Sequence, residues 1–88
     1  GEIDILALSK DETEFLVIEL KKGRTSDRVV GQTLRYMGYV QSEVANPNQG
    51  VRGLIIALED DVGTRQALSQ VPQIDFKRYQ INFQLIND

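Results

Sequence analysis

Two strongly apolar segments open the chain, Glu2 to Leu8 (EIDILAL) and Glu14 to Leu20 (EFLVIEL), and the polar run Ser9-Lys10-Asp11-Glu12-Thr13 separates them. Short β-rich runs around a polar turn predict a β-hairpin. With the turn centred between Asp11 and Glu12, Asp4 lies across from Glu19, Leu6 from Val17 and Leu8 from Phe15 on one face. Ile3, Ile5 and Ala7 then oppose Leu20, Ile18 and Leu16 on the other. The register that brings two acids together is also the one that sorts the apolar residues.

A polar, turn-rich stretch follows, Lys22-Gly23-Arg24-Thr25-Ser26-Asp27, in which Thr25 or Ser26 can cap a helix. The helix is predicted to run to about Ala45. Val30, Leu34, Met37, Gln41 and Val44 keep helical spacing, with Val29, Thr33 and Val40 widening the stripe. Asn46-Pro47-Asn48-Gln49-Gly50 ends it, because proline cannot continue the hydrogen-bond ladder. Val51 to Leu58 (VRGLIIAL) reads as a buried strand, parallel to the Glu19 strand across the helical crossover. Asp60 to Val71 reads as a second helix. Glu59, Asp60 and Asp61 could form a metal cluster, but their place at a strand-to-helix junction favours capping. Ile74 to Ile86 has strand character, with Tyr79, Ile81, Phe83 and Leu85 on one face and a break near Lys77-Arg78. One solvated face makes it an edge strand, open to pairing with another chain.

The charges change the picture. Asp4 and Glu19 interrupt the apolar runs Ile-Asp-Ile-Leu and Val-Ile-Glu-Leu, where an acid is rarely placed without a partner. Taken alone, Asp4, Glu19 and Lys21 fit a solvated surface hairpin. Two facing acids that lose hydration need a cation, a shared proton or a basic neighbour. Carboxylate oxygens suit Mg²⁺ or Mn²⁺, which bind one or two carboxylates together with substrate phosphate. Lys21, on the same face, is placed to orient water or to stabilise transition-state charge.

The elements Gly1-Glu2-Ile3-Asp4, Val17-Ile18-Glu19-Leu20-Lys21 and Gly31-Gln32-Thr33-Leu34-Arg35-Tyr36 together resemble the PD-(D/E)xK nuclease superfamily. Within it, the chain is most similar to the C-terminal domain of NucS (EndoMS)-like DNA endonucleases, with a RecB-type Gln-x-x-x-Tyr helix motif. The resemblance is dense from Gly1 to about Val40 and architectural beyond. It implies an α/β fold of restriction-endonuclease-like type, a mixed central sheet flanked by helices, and Mg²⁺- or Mn²⁺-dependent hydrolysis of DNA. Metal ligands would be Asp4, Glu19 and the carbonyl of Leu20; Lys21 would assist water attack, and Gln32 and Tyr36 would line the active site. Lys22, Arg24, Arg28 and Arg35 are the candidate phosphate contacts, each of which taken singly also fits a solvated basic rim. Relatives usually place a helix and a strand before the first acid, often with another glutamate. A single domain over residues 1–88, N-terminally incomplete, is therefore expected. Gly31 costs ~1 kcal/mol relative to alanine in a helix and is expected where the backbone packs closely. The competing classes are a noncatalytic nucleic-acid-binding or assembly module and an RNA nuclease on the same scaffold.

Composition narrows the chemistry. The 88 residues include no cysteine and no histidine, so disulfides, Cys-based zinc sites and His-dependent catalysis are excluded. No apolar run approaches the ~20 residues that span a bilayer, and no signal-peptide pattern opens the chain, so a cytoplasmic protein without membrane contact is expected. A net charge of −3 disfavours broad nonspecific nucleic-acid binding, although a local basic rim suffices. A chain this small gains from association, and a homodimer is expected, through the Tyr79 to Leu85 edge or the outer face of the helix.

Overall fold

The computed structural model describes residues 2–87; Gly1, the first residue of the Gly-x-Ile-Asp element, lies outside the described residues. The elements in order are β1 (Glu2–Leu8), β2 (Glu14–Arg24), α1 (Arg28–Tyr39), a π-helical turn (Val40–Val44), β3 (Gly50–Glu59), α2 (Val62–Leu68) and β4 (Ile74–Arg78). They form one four-stranded sheet in the order β1-β2-β3-β4. β1 runs antiparallel to β2, whereas β3 and β4 are parallel to their neighbours, so the sheet is mixed.

The hairpin has the register that its apolar pattern requires. Asp4 pairs with Glu19, Leu6 with Val17 and Leu8 with Phe15. Asp11 organises the turn. Its carboxylate accepts hydrogen bonds from the Ser9 and Thr13 hydroxyls and from the Thr13 N–H. These donors, the Ser9 hydroxyl foremost, favour the ionised form and lower its pKa to about 2.

The core lies on one face of the sheet. Val17 of β2 and Ile55 of β3 are wholly buried, and Val29, Val30, Met37, Val40 and Ile74 pack with them. Burying side chains of this size stabilises by about 1.5–3 kcal/mol each. Ala67, Leu68 and Phe76 pack on the same cluster, so both helices cover the same side. On the opposite side, Leu16, Ile18, Leu20, Leu54, Ile56 and Leu58 are half-buried.

Three expectations are corrected. The buried stripe of α1 is Val29, Val30, Thr33 and Met37, while Leu34 is 41% exposed and Val44 46% exposed. The last turn widens: Ala45 N–H bonds the carbonyl of Val40, five residues back, and the extra residue rotates Val44 off the stripe. Neither Thr25 nor Ser26 caps α1 with its side chain; Asp27 holds the cap position without a side-chain bond. Finally, β4 ends at Arg78, and residues 79–87 have no regular secondary structure. β3 ends at Glu59, so past Tyr79 N–H, which bonds Ala57 O, the tail meets no further strand to pair with. Asp61, by contrast, caps α2 as expected, accepting from Thr64 N–H at 3.0 Å, and Asp60 bonds Arg65 at 2.7 Å. That bond holds the Asp60 carboxyl below its usual pKa.

Close packing of α1 on the sheet depends on Gly53, not on Gly31. A Cβ at Gly53 would come within 2.9 Å of Met37 Sδ and Thr33 Cγ2 and 3.1 Å of Ile74 Cγ1. Met37 can yield, but Thr33 is wholly buried and its hydroxyl bonds Val29 O, so it cannot. Gly53→Ala is therefore expected to destabilise by about 1–3 kcal/mol. A denaturation midpoint equal to wild type would contradict this packing.

Candidate functional site

Strand alternation explains how the acids and the lysine come together. Val17, Glu19 and Lys21 point to the helix-covered side of β2, and Asp4 joins them from β1 through its pairing with Glu19. Glu19 is 4% exposed and Lys21 7% exposed, whereas Asp4 is open to solvent. One carboxylate is thus desolvated and the other reaches water at the rim. Leu20 lies between Glu19 and Lys21 with its side chain on the opposite face, so only its backbone carbonyl could serve this site.

The helix supplies the next residue. α1 starts just beyond the end of β2 and runs back along it, and Lys21 Nζ donates to Gln32 Oε1 at 3.3 Å. Tyr36 follows one turn later, about 6 Å along the axis, roughly the length of two strand residues. That offset puts Tyr36 near the level of Glu19. Tyr36 is half-buried and packs against the core. The five predicted side chains Asp4, Glu19, Lys21, Gln32 and Tyr36 therefore share one side of the sheet.

The basic residues divide. Between Lys21 and Arg24 the β2–β3 register slips: Lys21 pairs with Ala57 and Arg24 with Glu59. This bulge returns Arg24 to the side of Lys21. A cleft of about 250 Å³ results, lined by Lys21, Arg24, Thr25, Ser26, Arg28 and Gln32 together with Val29. A second, of about 380 Å³, adjoins it along α1 and is lined by Asp27, Arg28, Gly31, Gln32 and Arg35. Lys22 is exposed and lines neither. Arg24 is also engaged by Glu59 at 3.4 Å.

Sequence reasoning missed the bulge, the Glu59 partner of Arg24, and Thr25 and Ser26 as cleft walls. Gly23 next to a basic pair was the available signal for a bulge. Glu59 gave none, since its partner is set by a register slip. Among the described residues, no group of three or more Asp, Glu, His or Cys side chains gathers as a metal site. The donor set at Asp4 and Glu19 nevertheless fits a hard divalent cation: two oxygen ligands on facing strands, one dry and one wet.

Neither a protein-family model nor a curated protein matches the sequence. Solved structures do match. EndoMS in its apo form superposes with a TM-score of 0.73 at 23% identity, over 94% of this chain and 34% of that one. A repair endonuclease from Pyrococcus abyssi gives 0.62 at 24% identity, over 86% and 30%. EndoMS in the EndoMS-dsDNA2 complex gives 0.67 at 20% identity, over 96% and 38%. The chain shares their fold. It spans about a third of the length of each of these proteins. No helix of the described residues is long and apolar enough to cross a membrane.

Proposed function

We propose that this chain is a DNA endonuclease that hydrolyses phosphodiester bonds with Mg²⁺ or Mn²⁺. The observation that carries the reading is Lys21 beside Glu19 on one strand face, opposite Asp4, with its ammonium held by Gln32 at 3.3 Å. The fold of the repair endonucleases supports it. Asp4, Glu19 and the Leu20 carbonyl would hold the cation, which when bound polarises the phosphodiester and makes its water a better nucleophile. Lys21 then steers the attacking water and offsets charge developing on the phosphorus-bound oxygens. Gln32 fixes the lysine, and Tyr36 orders water or substrate from the next turn. Arg24, Arg28 and Arg35 line the approach for the DNA backbone; Lys22 is left outside it.

Incision of a supercoiled plasmid by the chain with Mg²⁺ or Mn²⁺, and none with chelator, is the expected result. DNA binding without any incision would hand the assignment to a noncatalytic module. Cleavage of RNA alone would make the chain a ribonuclease.

We also infer self-association. Ile81 (55% exposed), Phe83 (91%), Leu85 (97%) and Ile86 (75%) form an uncovered apolar tail, and the sheet side opposite the helices is apolar too. Surfaces of this kind favour contact with a second copy. Sedimentation at micromolar concentration should show a dimer; a monomer throughout that range would end this reading and leave the nuclease assignment standing.

A further inference from the structure

Arg28, Gln32 and Arg35 stand at i, i+4 and i+7 on α1, a single stripe along the helix. The two clefts meet on that stripe, because both are lined by Arg28 and Gln32. The first cleft contains Lys21; the second carries the line on to Arg35. Elsewhere Arg24 is engaged by Glu59, Arg52 by Asp75 and Arg65 by Asp60, while Arg78, at the end of β4, lines neither cleft. Among the described residues Arg28 and Arg35 make no ion pair, and both are exposed. Two unengaged guanidinium groups lining a polar trough fit phosphate oxygens, which guanidinium recognises in a bidentate manner.

Gly31 belongs to the same trough. Nothing packs against it: a Cβ there would meet only Arg35 Nη1, at 3.9 Å, an ordinary contact. A residue that weakens the helix without being required by packing lines the second cleft. A side chain there would take up space in that cleft and press on Arg35. Asp27 lines the same cleft, and its carboxylate opposes an anion there.

We propose that the Arg28-Gln32-Arg35 stripe is a track for the phosphates of one nucleic-acid strand leading away from Lys21, and that Gly31 keeps the track open. Two helical turns separate the arginines, about 10.5 Å, so the two guanidinium groups reach different phosphates of one strand. The polymer's identity as DNA rests on the nuclease reading; the track itself requires only a regularly spaced phosphate backbone.

The test is binding of the 88-residue chain to a fluorescein-labelled DNA duplex, and to an RNA duplex of the same sequence, with Ca²⁺ in place of Mg²⁺. Affinity is followed between about 50 and 200 mM salt, the range over which phosphate contacts are lost. Arg28→Ala should flatten the dependence of log affinity on log salt by about 1, and the Arg28→Ala/Arg35→Ala double variant by about 2. Asp27→Asn should tighten binding. Gly31→Ala should raise Tm, as a better helix former, and weaken binding at the same time. Equal losses on both duplexes assign the track to the shared backbone, and a loss on one assigns it to that polymer. A wild-type slope in the double variant, with its circular dichroism unchanged, would overturn the track. So would Gly31→Ala raising Tm at unaltered affinity, as far as the glycine is concerned. If the slopes fall as expected but wild type never cuts with Mg²⁺, the track stands and the nuclease reading fails. The reverse pattern separates the two the other way.

Discussion

Lys21→Ala is expected to leave divalent-ion binding nearly unchanged while slowing incision about 10²- to 10³-fold, the usual loss when one preorganised transition-state donor is removed. The argument starts from burial. Lys21 is 7% exposed and its ammonium is held by Gln32, so it does not swing freely with solvent. A charge fixed in this way acts mainly on the water and on the oxygens that gain charge during attack, and these differ between ground and transition state. Lys21→Arg should not restore the rate, because a planar guanidinium cannot take the place of a compact ammonium against Gln32. Metal binding, read by titration with Mn²⁺, doubles as the check that the variant has folded. A Lys21→Ala protein that cuts at the wild-type rate would remove the lysine from the mechanism.

That the lysine could be found from sequence at all follows from the arithmetic of strands. In a hairpin a one-residue slip sends every side chain to the opposite face. The register that pairs Asp4 with Glu19 is also the register that separates Leu6 and Val17 from Ile5 and Ile18, so the chemistry and the packing were written in the same pattern. The extent of α1 together with its π-helical turn was legible for the complementary reason: a helical apolar period ended by Asn46-Pro47. Its inner face was not. Thr33 is buried because its hydroxyl returns to Val29 O, and that local bond makes a polar residue a core residue. Leu34, one position on, faces solvent.

What was illegible depended on partners that only the fold supplies. The tail alternates like a strand from Tyr79 to Leu85, yet alternation describes a face and not a neighbour, and past the end of β3 there is none. The division of the basic rim was illegible in the same way. Lys22, Arg24, Arg28 and Arg35 look equivalent in sequence, but a register slip after Lys21 turns Arg24 into the cleft and leaves Lys22 out. Gly31 was expected to permit close packing, and it is Gly53, in a strand with no motif around it, that does so. The site's skeleton was thus readable, while its approach was set by irregularities.

Asp4→Asn and Glu19→Gln should each abolish Mg²⁺ or Mn²⁺ binding and with it incision, but they should differ in their effect on the fold. Asp4 is exposed, so its amide should change stability by no more than about 0.5 kcal/mol, the range of ordinary surface substitutions. Glu19 is 4% exposed and shares its strand face with the buried Lys21 two residues on. Exchanging that carboxylate for an amide of the same size removes a negative charge from beside a desolvated ammonium and should cost about 1–3 kcal/mol. The double variant should bind metal no worse than either single one, since ligands of one ion fail as a unit rather than additively. Isothermal titration with Mn²⁺ reads the first claim and urea denaturation the second. Unchanged metal affinity in both single variants would dismantle the site. Loss of affinity on Glu19→Gln alone would instead move the cation inward, onto the dry carboxylate, and leave Asp4 as a rim charge that repels or orients water without touching the ion.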